Sequence, residues 1–142
     1  MSENRMPQIE PGSLPPTKGN IVTYLQIRDA SAASEFYQRA FGAQEVTRLL
    51  HPDGKRLIHC HLYINEGSIM LNDAFPEQGM PLEAPQSFTL TLMVEGIDAW
   101  FERAVNAGCT VISPVATMFW GARYGSLKDP FDVSWAMNEN VG

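Results

Sequence analysis

Ser87-Phe88-Thr89-Leu90-Thr91-Leu92-Met93-Val94-Glu95 alternates apolar and polar side chains, and Ile97, Trp100, Phe101, Ala104 and Ala107 then recur at helical spacing up to Gly108. Alternation predicts a half-buried strand, the following period an amphipathic helix, and a glycine just past the last periodic residue a helix stop. The same succession stands earlier in the chain. Ile21 to Arg28 reads as a strand, Ser31 as a helix cap, and Ala33, Phe36, Tyr37, Ala40 and Phe41 as a helix stopped by Gly42. Shifting the first half by 67 positions lays Ile27 on Val94, Ala33 on Trp100, Tyr37 on Ala104 and Ala40 on Ala107, and a one-residue gap then lays Gly42 on Gly108. The chain contains an internal repeat.

Three strands are predicted after each helix: Gln44 to Leu50, Arg56 to Ile64 and Ser68 to Asp73, then Thr110 to Val115, Met118 to Leu127 and Val133 to Asn138. His51-Pro52-Asp53-Gly54 and Asn65-Glu66-Gly67 read as turns. The expected fold is α+β, with two tandem βαβββ modules forming a curved mixed sheet around a cavity. Residues 1–20 form a flexible arm, because Pro7, Pro11, Pro15 and Pro16 forbid a helix. Residues 21–142 form one domain, with a module at 21–73, a linker at 74–86 and a module at 87–138. One helix covers one face of each four-stranded sheet, so the other face needs a partner.

With 142 residues the chain is long enough for one ordinary core. Its hydrophobic share of 44% and mean hydropathy of −0.15 are those of a globular protein. A net charge of −6 argues against a nucleic-acid partner, which would need a basic face. No apolar run reaches the length of a membrane span, and Met1 to Asn20 lacks the charged and apolar regions of a secretory signal. Cys60 and Cys109 each lie in an apolar run and read as buried free thiols, which suits a reducing compartment. A cytoplasmic protein with neither membrane nor nucleic-acid partner is expected.

Strand alternation assigns the faces. Phe88, Leu90, Leu92 and Val94 should meet the helix, and Thr89 and Thr91 should line the cavity with Met93. By the internal shift, Ile21, Leu25 and Ile27 face the helix while Val22, Tyr24 and Gln26 face inward. Ile58, Cys60, Leu62 and Ile64 form one row of their strand, which puts His59, His61 and Tyr63 together on the other. This mixture of apolar surface and a few hydrogen-bonding groups suits a small-molecule pocket. The same face would also serve as a second core seam.

Two stretches carry a family resemblance. Tyr24-Leu25 through Asp29 to Phe36-Tyr37 and Phe41-Gly42-Ala43 resembles the opening of glyoxalase/bleomycin-resistance/dioxygenase (vicinal oxygen chelate) modules. Met118-Phe119-Trp120-Gly121-Ala122-Arg123-Tyr124-Gly125, then Lys128-Asp129-Pro130-Phe131 and Trp135, is similar to the PhnB-like branch, as is Ile69-Met70-Leu71-Asn72-Asp73. The match spans about Val22 to Asn138, and the second stretch is the specific one. Where that branch has Gly and His after Asp-Pro-Phe, this chain has Asp132 and Val133. Asp132 keeps a left-handed turn open, but any role of the histidine does not carry over.

The resemblance implies a divalent ion held by His or Glu at four inward positions, which fall here on Val22, Met70, Thr89 and Ala136. None is a useful donor to such an ion. No metal and no cofactor are therefore expected, and the superfamily's usual glyoxalase or dioxygenase chemistry is not. The first expectation is a protein that binds a small organic molecule, as bleomycin-resistance members do, through Tyr24, Gln26, His59, His61, Tyr63, Thr89, Thr91, Trp120 and Arg123. For Trp120 and Arg123, packing of the hairpin is an equal reading. A second is a lyase- or isomerase-type enzyme with His59 or His61 as general base or as noncanonical metal ligands, helped by Asn72 or Tyr63. A third is a protein-interaction domain with a vestigial cavity. The resemblance also implies a homodimer. No Gly-rich strand-to-helix loop supports a nucleoside cofactor, and no nucleophile stands with a base and orienter.

Overall fold

Among the described residues, alternation gives eight strands and the two periodic stretches give two α-helices: β1 (Thr23–Gln26), α1 (Ala30–Phe41), β2 (Gln44–Leu50), β3 (Leu57–Ile64), β4 (Gly67–Asn72), β5 (Leu90–Met93), α2 (Ile97–Ala107), β6 (Thr110–Thr117), β7 (Ala122–Lys128) and β8 (Ser134–Asn140). The structure is a computed structural model that describes residues 6–10 and 12–140. Met1–Arg5, Pro11 and Val141–Gly142, which include part of the expected arm, lie outside the described residues. Contacts divide the chain into two units, one running to Gln38 and resuming over Ala43–Leu82, the other made of Arg39–Gly42 and Glu83 onward.

Each unit has a four-stranded mixed sheet, in the orders β1-β4-β3-β2 and β5-β8-β7-β6. The β1–β4 and β5–β8 pairs are parallel and the rest antiparallel. The repeat holds at the level of single bonds. Tyr24 stands opposite Met70 as Thr91 stands opposite Ala136. Ile27 N–H donates to the Asn72 carbonyl and Val94 N–H to the Asn138 carbonyl, both at 2.9 Å. The residue before each helix has positive φ, 58° at Asp29 and 73° at Gly96. Glycine meets that backbone demand without a Cβ clash, and aspartate is among the few side chains that tolerate it.

In the first unit Asp73, just past β4, secures two elements at once. Its Oδ1 accepts from the Ala30 N–H at 2.9 Å and its Oδ2 from the Leu57 N–H at 2.7 Å. Asp29 Oδ1 accepts from the Ala32 N–H at 3.2 Å, so the cap expected at Ser31 is made by Asp29. Ser31 lies inside α1 and its hydroxyl accepts from Arg48 at 2.9 Å. Helix α1 thus covers the sheet face of Arg48 and Cys60, burying Phe36 and Tyr37 over a core with Leu25, Ile27, Leu62 and Leu71. Asn65 and Glu66, at φ 45° and 64°, form the two-residue hairpin turn between paired Ile64 and Gly67.

In the second unit Trp135 is buried with its ring 4.4 Å from that of Phe41. Gly125 of β7 faces α2: a Cβ there would stand 2.7 Å from the Phe101 ring, so only glycine lets the helix pack this closely. Three strands start two or more residues later than expected. Ser87 turns to φ 66°, so β5 starts only at Leu90 and Phe88 is exposed rather than helix-facing. Ile21 lies outside β1 and is 95% exposed. Met118 to Gly121 close a turn through the Gly121 N–H to Met118 carbonyl bond at 3.1 Å, so β7 begins at Ala122.

Candidate functional site

Register places Tyr24, Met70, His61 and Thr47 on one rung across the first sheet. Gln26 lies beside Asn72, and Tyr63 beside Ser68. All belong to the face opposite α1, because strand neighbours alternate and Cys60 points to the helix side. The five candidates of the first unit are therefore brought onto one surface. Tyr24 hydroxyl and His59 Nδ1 share a hydrogen bond at 3.1 Å. Whichever tautomer that bond selects, His59 Nε2 is left open, with no partner among the described residues. His61 Nε2 meets Ser68 Oγ at 2.8 Å, and its ring lies edge-on to Tyr63 with centroids 5.1 Å apart.

Burial holds both histidines below the ordinary imidazole pKa, and His59 adds a smaller downward push on His61. Burial, and behind it the Cys60 sulfur, raises the Tyr24 phenol, so Tyr24 keeps its proton. The face presents uncharged hydrogen-bonding groups at pH 7. A histidine depressed in the folded state contributes stability that is intact above its unfolded pKa of about 6.5 and lost as pH falls through that value toward the folded one. Urea midpoints should therefore drop between pH 7 and 5.5, and the drop should shrink in His61→Gln. An equal drop in both proteins would remove His61 from the account.

The arm reaches this face as well. Tyr63 hydroxyl donates to the Pro16 carbonyl at 2.6 Å, and Lys18 N–H donates to Ser68 Oγ at 2.8 Å. Lys18 Nζ stands 4.4 Å above the Tyr63 ring. Sequence reasoning missed Ser68, although alternation from Met70 would have found it. Thr47 Oγ1 and Asn72 Oδ1 on the same face are sealed from solvent without a partner.

In the second unit Thr91 is exposed on β5 beside Ala136, and Thr89 is exposed just before that strand. Trp120 sits half-exposed in the β6–β7 turn, packed edge-on between Phe119 and Tyr124. Arg123 is on the helix side of its sheet: its guanidinium donates to both Asp98 carboxylate oxygens, at 2.8 and 3.0 Å. Thr91 and Arg123 thus belong to opposite faces. Both thiols are pushed up to about 12, Cys60 by burial and Glu45 and Cys109 by burial and Asp129, so neither is a nucleophile at neutral pH.

Val22, Met70, Thr89 and Ala136 offer a divalent ion no suitable donor set. Among the described residues no group of three or more His, Cys, Asp or Glu side chains is placed to hold one. No helix among them is long and apolar enough to cross a membrane.

The model of the Glyoxalase/Bleomycin resistance protein/Dioxygenase superfamily matches residues 20–137. An uncharacterized protein of Mycobacterium bovis, Mb0911c, is 42% identical over 124 residues, covering 83% of this chain and 81% of its own. Protein PA1353 of Pseudomonas aeruginosa superposes with a TM-score of 0.70 at 26% identity, over 84% of this chain and 96% of that one. The PhnB protein of Bacillus cereus gives 0.63 at 18% identity, over 85% and 99%.

Proposed function

Because the chain belongs to the Glyoxalase/Bleomycin resistance protein/Dioxygenase superfamily, we propose that it binds a small organic molecule on the histidine-bearing face of its first unit, without a metal ion. The observation that carries this reading is the Tyr24–His59 pair: one imidazole nitrogen is fixed at 3.1 Å by a phenol and the other is open, on a partly exposed face. An oriented, neutral donor or acceptor beside apolar Met70 and the ring of Tyr24 is what recognition of an uncharged or weakly polar organic group requires. Gln26, His61 and Tyr63 complete the contacts of the first unit, and Thr89, Thr91 and Trp120 remain candidates on the second unit by itself. Arg123 is engaged by Asp98 and is assigned to anchoring α2. The reading includes a cytoplasmic homodimer of the PhnB-like branch.

Native mass spectrometry of protein purified without added metal tests it. A dimer carrying a noncovalent organic mass is expected, with that mass retained after EDTA and reduced in His59→Ala. A stoichiometric metal ion, or loss of the ligand with EDTA, would overturn it. One observation favours a second reading, in which His59 is a general base. In the tautomer whose Nδ1–H donates to the Tyr24 oxygen, its neutral ring presents Nε2 as the acceptor that proton abstraction needs. Turnover of the co-purified compound by the native protein, lost in His59→Ala, would select that reading.

A further inference from the structure

We propose that residues 13–18 form a strap that closes over the Tyr63–Ser68 end of the histidine face and must lift for a ligand to reach His61. The proposal rests on that face being the ligand site, and adds how access to it is controlled. The strap grips site residues themselves. Pro16 is held by the Tyr63 hydroxyl at 2.6 Å, and Lys18 by Ser68 Oγ at 2.8 Å, the oxygen that also meets His61. Lys18 adds its ammonium over the Tyr63 ring and a long ion pair to Glu66 at 3.9 Å. Tyr63 thus holds the strap through both its hydroxyl and its ring face.

The grip is polar and shallow. Ser13, Leu14, Pro16 and Thr17 are exposed, and Pro15 and Lys18 only half-buried, so the strap buries little apolar surface to hold it down. The fit beside it is incomplete. An open groove of about 400 Å³ runs between Gln8–Glu10, Ser13–Pro15 and the β2 residues Val46, Thr47 and Leu49. Thr47, which lines that groove beside the strap, has its hydroxyl sealed without a partner, an unmet polar group in this part of the face. Gly12 and Gly19 flank the segment at φ 79° and 90°, where they leave the backbone free to pivot. Polar clasps, an open groove alongside and a glycine at each end describe a segment with two positions.

The test uses the full chain and no ligand, so its outcome is separate from that of the binding experiment. Hydrogen exchange at the Lys18 amide reports the strap, and carbethoxylation of His61 reports access to the face. His51 is the reactivity control and the Leu71 amide the control for the fold. Tyr63→Phe deletes the clasp to Pro16 and keeps the ring. Both Lys18 exchange and His61 modification should rise about fivefold, the factor one net hydrogen bond carries, while Leu71 and His51 stay constant. Lys18→Ala, which removes the ammonium and its methylene stem but keeps the backbone N–H to Ser68, should move both readouts in the same direction. Faster Lys18 exchange without faster His61 modification would overturn the gating role, and no change in either would overturn the strap. If Leu71 also exchanges faster in Tyr63→Phe, the Lys18→Ala result decides.

Discussion

Replacing Asp129 by alanine should cost the protein about 4 kcal/mol, a large part of the stability of a domain this size. Asp129 is 4% exposed and its carboxylate gathers three donors. Oδ1 accepts from the Phe131 N–H at 2.8 Å and the Val133 N–H at 3.0 Å, and Oδ2 from the Trp135 indole N–H at 2.9 Å. These bonds hold the β7–β8 turn, in which Asp132 is at φ 70°, and orient the indole that packs on Phe41. Alanine leaves three donors without an acceptor, two on the main chain and one on a fully buried ring. An unsatisfied buried donor costs about 1–3 kcal/mol, so the sum dominates any change in burial. Trp135→Phe separates the parts: it removes one donor, keeps an aromatic ring against Phe41, and should cost less than half as much. Asp129→Asn should fall between, because one carboxamide oxygen remains for the turn while its NH2 meets the indole N–H donor against donor and leaves it unpaired. Urea denaturation of the three variants decides, and a loss below about 1 kcal/mol for Asp129→Ala would remove the carboxylate from its place in the turn.

The resemblance carried Asp129, Pro130, Phe131 and Trp135 as a motif, but not the reason for it. Sequence alone says that these residues stand together. That one carboxylate serves the turn and the tryptophan at once appears only when the chain is folded. The repeat was legible because it rests on side-chain period, which local sequence encodes directly. Strand limits were not, where a backbone angle overrides the pattern: Ser87 alternates correctly with its neighbours, yet φ 66° ends the extended chain there. Apolar content misled at Met118-Phe119-Trp120, which reads as strand and forms a turn with Phe119 96% exposed. Within the site, alternation sufficed to put His59, His61 and Tyr63 on one face, since β3 runs unbroken through them. It was not applied to β7, where the period of two from Gly125 puts Arg123 on the helix side, and it was silent on the arm. Pro16 and Lys18 find their partners 47 and 50 positions away, through a backbone carbonyl and a backbone N–H that no side-chain pattern announces.

The internal repeat supplies the second large effect and its own control. Asp73 and Glu139 follow equivalent positions of β4 and β8, and each receives the first N–H groups of the helix in its own unit. Their surroundings differ. Asp73 is 7% exposed and spans α1 and β3, accepting from the Ala30 and Leu57 N–H groups. Glu139 accepts from Gly96 and Ile97 at a half-exposed helix end, where Asp98 and Arg123 also meet water. A lost acceptor is replaced by solvent only where solvent can reach the donor. Asp73→Ala should therefore cost about 3 kcal/mol, since two buried main-chain donors lose their acceptor and no water takes its place. Glu139→Ala removes as many bonds and should cost distinctly less, with a loss that diminishes further in high salt. Equal losses in the two variants, read from urea midpoints at fixed slope, would mean that the count of capping bonds matters and their burial does not. The expected inequality would mean that the first unit depends on its carboxylate for assembly, joining helix and hairpin, whereas the second uses its own only to finish a helix that packing already holds.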